Sequence, residues 1–201
     1  MEGKPDWLPG FPVQIYCNRS DLVDTGELQG QHVVLGNVLS EIKTKVMYRL
    51  IEDEALCKLL YYDTPDALDH DITTKQIQEL ILQKSTNKQR RIFLKAYPNQ
   101  VTSVKDCEIR IHFRHIGVEQ QPYKYRPELQ IDVFCHNDLT DLNDGLSQRQ
   151  DMLIQKINDL LENYHLQVVG NMHLIQIDDW SMQNSSYIGY SAFFSVGTIN
   201  M

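Results

Sequence analysis

Apolar and polar positions alternate in two rhythms along this chain, and each rhythm marks an element. From Asn37 onward, Leu39, Ile42, Val46, Leu50, Leu56 and Leu59 recur at three- and four-residue steps with one longer gap. That spacing predicts one long helix with a single apolar stripe, Asn37 serving as its N-cap. The run breaks at Tyr61-Tyr62-Asp63-Thr64-Pro65-Asp66, because proline restricts the residue before it and aspartate favours turns. A shorter helix is expected over 74–84, where Thr73 and Gln76 have the spacing of a capping box and Ile77, Leu80 and Ile81 share one side. A third is expected after Ser147, whose spacing to Gln150 is again that of a capping box, with Leu153, Ile154, Ile157, Leu160, Leu161 and Tyr164 as its stripe.

The second rhythm has period two. Residues 91–97 read as a strand that ends at Pro98. In 107–115 one face is Cys107, Ile109, Ile111 and Phe113 and the other is Glu108, Arg110, His112 and Arg114. Leu129, Ile131, Val133 and Cys135 repeat the alternation against Glu128, Gln130, Asp132 and Phe134. An antiparallel register with Arg114 facing Glu128 also sets Arg110 against Asp132, Ile111 against Ile131 and Cys107 against Cys135, so both faces are satisfied together. Strands over 172–177 and 188–198 close the chain. The last has Ile188, Tyr190, Ala192, Phe194 and Val196 on one face, and the small-residue face Gly189, Ser191, Phe193, Ser195 and Gly197 on the other, suited to close packing or a subunit contact. The fold class is therefore α+β, a mostly antiparallel sheet flanked by two or three helices.

Residues 1–36 carry neither rhythm. Pro5, Pro9, Pro12, Gly10, Gly26, Gly30 and Gly36 punctuate short apolar pieces, which reads as an extended N-terminal arm ahead of a domain over 37–201. Trp7, Phe11 and Tyr16 give the arm aromatic anchors, and with Tyr61 and Tyr62 they are the candidate interaction residues.

Composition narrows the function classes. Apolar residues are 42% and charged residues 23% of 201, an ordinary globular balance. No run approaches the roughly 18 apolar residues needed to cross a bilayer, and the N-terminus has no basic region leading into an apolar one, so a soluble, non-exported chain is expected. The formal net charge of −8 argues against a phosphate-binding surface. The local basic group Lys84, Lys88, Arg90 and Arg91, interrupted by Ser85, Thr86 and Asn87, reads as a solvated turn. Cys17, Cys57, Cys107 and Cys135 form no CxxC pair, so buried thiols in a reducing compartment are expected, Cys107 and Cys135 packing without a bridge.

No catalytic or metal motif survives inspection. His112 and His115 differ by an odd number and on a regular strand point to opposite faces. Cys135 and His136 diverge likewise, so a zinc site with Cys107 fails. The acidic loop 137–145 has Leu142 where a calcium loop needs an oxygen ligand, and reads as a helix entry. A nuclease site built from Asp6, Glu41 and Lys43 would fall in an arm and a helix. There is no GxSxG, phosphate loop or GxGxxG, so no enzyme activity and no cofactor is expected.

The pattern Leu129-Gln130-Ile131-Asp132-Val133-Phe134, the helix around Asp151-Met152-Leu153-Ile154-Gln155-Lys156-Ile157, the strand His173-Leu174-Ile175-Gln176-Ile177 and the closing Tyr190-Ser191-Ala192-Phe193-Phe194-Ser195-Val196 together resemble the tail-terminator (tail-completion) proteins of long-tailed bacteriophages. That resemblance implies a virion protein made in the host cytoplasm. It would form a hexameric ring on the last tail-tube ring, with the tail-tube protein, a head connector or adaptor and copies of itself as partners, and DNA passing through the lumen unbound. Similar architectures occur in other neck and tail rings, so a head-completion adaptor or a tail-tube protein is the alternative, and a non-viral binding module or enzyme the more remote one. The long arm departs from the family pattern.

Overall fold

A computed structural model of the chain describes residues 35–82, 89–96, 105–119, 124–167, 169–181 and 186–200. The chain divides into two units, Met1–Gln31 and His32–Met201, and the described residues all lie in the second. Trp7, Phe11 and Tyr16 lie outside the described residues.

Helix α1 (Leu35–Ile51) already includes Asn37, which lies inside it and is not its N-cap. The expected single long helix is two helices. The longer gap between Leu50 and Leu56 is the break: Asp53 takes an extended conformation and its carboxylate accepts the Leu56 N–H at 2.7 Å, capping a separate helix α2 (Glu54–Tyr61). Lys156 Nζ, from the later helix, lies 3.1 Å from the same carboxylate. Helix α3 (Thr74–Glu79) begins with the expected capping box, Thr73 and Gln76 each satisfying the other's backbone N–H. Helix α4 (Arg149–Leu161) has no such box: Gln148 occupies the N-cap without a side-chain cap, and Ser147 bonds instead to Asp144. Asp144 also accepts the N–H groups of Leu146 and Ser147, so the acidic loop is a tight helix entry as expected.

The strands are β1 (Ile92–Phe93), β2 (Cys107–Glu119), β3 (Lys124–His136), β4 (His165–Leu166), β5 (Gly170–Asn171), β6 (His173–Ser181), β7 (Tyr187–Ser195) and β8 (Ile199–Asn200). The main sheet has the order β1-β2-β3-β7-β6, with β8 beside the start of β3, and β4 and β5 form a separate small pair. Among the described residues only β1 runs parallel to its neighbour, and every other strand pairing is antiparallel. The mostly antiparallel α+β reading holds.

Period-two alternation sorts the sheet into two faces. Ile109, Ile111, Leu129, Ile131, Val133, Ala192 and Phe194 are buried on the inner face in one apolar cluster with Ile42, Val46 and Leu50 of α1, Leu56, Leu59 and Leu60 of α2, and Leu153, Ile157 and Leu161 of α4. Each of these side chains other than Ala192 contributes roughly 1.5–3 kcal/mol when fully buried, so this one layer is the main source of stability.

The inferred hairpin register holds from Cys107↔Cys135 through Arg110↔Asp132 and Ile111↔Ile131 to Phe113↔Leu129. It then shifts. A bulge at Arg114 sets His115, and not Arg114, opposite Glu128. The same bulge resets the parity of the strand, so by register His112 and His115 fall on one face of the sheet, contrary to the expectation for a regular strand.

Two further expectations are overturned. Cys107 and Cys135, buried and with Cα atoms 4.2 Å apart, are joined in a disulfide and are not free thiols. Direct opposition in a ladder brings two cysteines within bonding reach, which an expectation based on compartment alone leaves out. Arg91 is no solvated residue: it is buried, with Asp63 and Asp106 at 3.4 and 3.5 Å.

Candidate functional site

The outer face of the sheet, opposite the helices, carries a cluster of polar and aromatic side chains. Alternation puts Glu108, Arg110 and His112 of β2, Gln130, Asp132 and Phe134 of β3, and Gly189, Ser191 and Phe193 of β7 there. Phe134 and Phe193 are buried, yet neither joins the core cluster. The Arg110 guanidinium lies 4.3 Å from the Phe134 ring centre and that of Arg114 lies 4.6 Å from Phe193, so two cations roof two aromatic rings.

Asp132 sits at the centre of this face. Its carboxylate accepts from Ser191 Oγ at 2.6 Å and Gln130 Nε2 at 2.7 Å, and lies 2.9 Å from His112 Nε2. Burial pushes the Asp132 carboxyl up, but the bonds from His112, Ser191 and Gln130 together outweigh it and hold it below the ordinary carboxylate range. Arg110 stands opposite Asp132 in the ladder but its guanidinium pairs with Glu108 on its own strand, so the expected cross-strand ion pair is not made. Glu108 itself is pushed up by burial, against the pull of Arg110.

A Ser-Asp-His constellation invites a catalytic reading, and its connectivity argues against one. Nucleophilic catalysis needs imidazole between hydroxyl and carboxylate. Here the carboxylate stands between Ser191 and His112, and the buried Ser191 hydroxyl already donates to it. The arrangement is a hydrogen-bonded clasp joining β2, β3 and β7. Gly189 is required beside it, because an added Cβ would lie 1.7 Å from the Val133 carbonyl oxygen.

Toward the end of the sheet where the bulge lies, an open groove of about 640 Å³ is lined by residues including His115, Arg126, Glu128, His173, Ile175 and Ser195. Among the described residues no group of three or more His, Cys, Asp or Glu side chains could hold a metal ion. The free thiol of Cys57 is buried, and burial followed by Asp53 and Glu54 pushes it up to about 12, so it is an inert packing group.

Tyr61 and Tyr62, nominated from sequence, stand edge to face with ring centres 5.1 Å apart at the end of α2. Both hydroxyls are engaged within the unit, Tyr61 with Glu79 at 3.2 Å and Tyr62 with the Asp71 carbonyl at 2.6 Å. The outer-face group was not nominated, although its alternation was visible. Alternation placed Phe134 among the polar residues of its strand and Phe193 on the small-residue face, but carried no sign that both rings are buried beneath Arg110 and Arg114.

Fold and face together define an α+β domain that packs its helices on one side of a sheet and keeps a charged, aromatic surface on the other. The chain belongs to the YomW family, whose model matches residues 53–196, from the break before α2 to the residue after β7. That membership associates it with bacteriophage. No curated protein matches the chain. Among the described residues no helix is long and apolar enough to cross a membrane.

Proposed function

We propose that this chain is a non-catalytic structural protein of the phage virion, forming a ring, hexameric by resemblance, that caps the tail tube and docks it to the head connector. The observation that carries the reading is membership of a phage-associated family over every strand of the main sheet but β8 and over three of the helices. The fold supports it, since a one-sided sheet leaves a face and two edges for neighbouring subunits. The net charge of −8 suits a lumen through which DNA slides without adhering. A disulfide suits a protein that ends its life on a virion, where bridges persist, even though it is made in the host cytoplasm.

The test is to locate the chain in purified virions by electron cryo-microscopy. Density at the end of the tube beside the connector supports the capping role. Density repeated along the tail makes it a tube protein, and density confined to the connector makes it a head-completion adaptor; either overturns the capping role.

A further inference from the structure

Asp144 and Gly145 form an aspartyl-glycyl step in the loop that enters α4, and both are exposed, as is Leu146 after them. Such a step is reactive by its own chemistry. Glycine has no side chain to hinder its main-chain nitrogen, which can attack the side-chain carboxyl of the aspartate before it and close a five-membered imide. The surroundings leave room for that ring: Gly145 has a φ of +68°, and a Cβ built on it would meet no atom within 4 Å.

The turn itself works against closure. The Gly145 N–H, on the nitrogen that must attack, donates to the Leu142 carbonyl at 3.0 Å. One carboxylate oxygen of Asp144 accepts the N–H groups of Leu146 and Ser147 at 2.9 and 2.8 Å, and the other accepts the Ser147 hydroxyl at 2.5 Å. The Ser147 hydroxyl first, then the N–H groups of Ser147 and Leu146, hold this carboxyl below the ordinary carboxylate range. It is therefore ionised at neutral pH, and an ionised carboxylate is a poor electrophile that must gain a proton before it can release water.

We propose that Asp144 is a modification site, isomerising to isoaspartate through its step to Gly145, and that Ser147 is the gate that slows the reaction in the folded chain. In the first stage the Gly145 nitrogen bonds to Asp144 Cγ, and the carboxyl hydroxyl leaves with the amide proton as water. In the second, water adds to one imide carbonyl and its C–N bond breaks. When that bond is the one to the original main-chain carbonyl, the chain is left running through Cγ, one methylene longer, with a free carboxylate on Cα. Water lost is water regained, and no oxidant or cofactor is needed. The displaced carboxylate no longer stands where Leu146 and Ser147 donate. The helix entry, closed also by the Leu142 N–H on the Ser147 carbonyl at 3.2 Å, then loosens.

The test incubates the full chain and its Ser147→Ala and Ser147→Thr variants at neutral pH, folded and in urea. Isoaspartate at residue 144 is followed by peptide mapping and by enzymatic methylation of isoaspartyl carboxyls. Among folded chains Ser147→Ala should isomerise about fivefold faster than wild type, as loss of one charge-assisted hydrogen bond allows. Ser147→Thr keeps the hydroxyl and should match wild type. In urea all three should react at one rate, faster than folded wild type. Equal rates for folded wild type and folded Ser147→Ala overturn the gate, as does wild type reacting as fast when folded as in urea, a comparison that needs no variant to fold. Absence of isoaspartate even in urea overturns the site.

Discussion

Arg149 shows how one residue joins elements distant in sequence. It is 1% exposed at the first turn of α4, and its guanidinium donates to four backbone carbonyls: Leu139, Leu59, Tyr62 and Thr64, at 2.6 to 2.8 Å. Arg149→Met should cost about 3 kcal/mol or more in urea unfolding, since several buried carbonyls lose their donors together. Arg149→Lys should recover little of it, because one ammonium cannot span the fork. Sequence placed this arginine correctly beside a helix start, but its acceptors are backbone atoms, which no residue pattern identifies. Asp132 gives a second test. Its folded-state pKa lies below the unfolded value, so its stabilisation is complete above about pH 4 and is lost as pH falls through the lower folded value. The difference in unfolding free energy between wild type and Asp132→Asn should therefore shrink as pH falls below about 4. A difference unchanged down to pH 2 would mean that the carboxylate charge is not what holds the clasp.

At the scale of elements, the hairpin β2–β3 was legible because its two faces differ along most of its length. Legibility ended at Arg114 and His115, two adjacent basic residues that leave no mark of which is displaced when a bulge enters. The break between α1 and α2 did leave a mark, the long gap from Leu50 to Leu56, but helical periodicity alone does not distinguish a kinked stripe from two helices capped afresh at Asp53. The Cys107–Cys135 bridge closes the loop of the hairpin with a sequence separation of 28. Reduction should lower stability by about 2–4 kcal/mol, the usual effect of freeing such a loop, with a parallel fall in the denaturant midpoint. Equal stability with and without reductant would show that the two sulfurs only pack. Gly189→Ala should also destabilise, by about 1–3 kcal/mol, because the methyl group meets the backbone of the adjacent strand and no side chain can yield to it. Thermal unfolding of that single variant measures it, and an unchanged midpoint would place Gly189 in a different conformation.

At the scale of the molecule, fold class was readable because one apolar layer accounts for both rhythms: helix stripes and strand faces converge on the same cluster. The outer face was not readable as a site: alternation assigned Phe134 and Phe193 to it, but their burial beneath Arg110 and Arg114 and the clasp at Asp132 depend on side-chain contacts that alternation does not encode. Arm and core can be separated by experiment. The described residues of the apolar cluster lie between Leu35 and Ile199, and the family match begins only at residue 53. A chain lacking residues 1–30 should therefore retain its circular dichroism spectrum. It should nonetheless attach less well to tail ends, because Trp7, Phe11 and Tyr16 give the arm anchoring area with too little periodic apolar sequence to form a core of its own. Binding of the truncated and full chains to purified tails, together with joining of heads to those tails, measures the loss. An unfolded truncation would assign the arm to the core, and a truncation that joins heads to tails as well as the full chain would make the arm a passive extension.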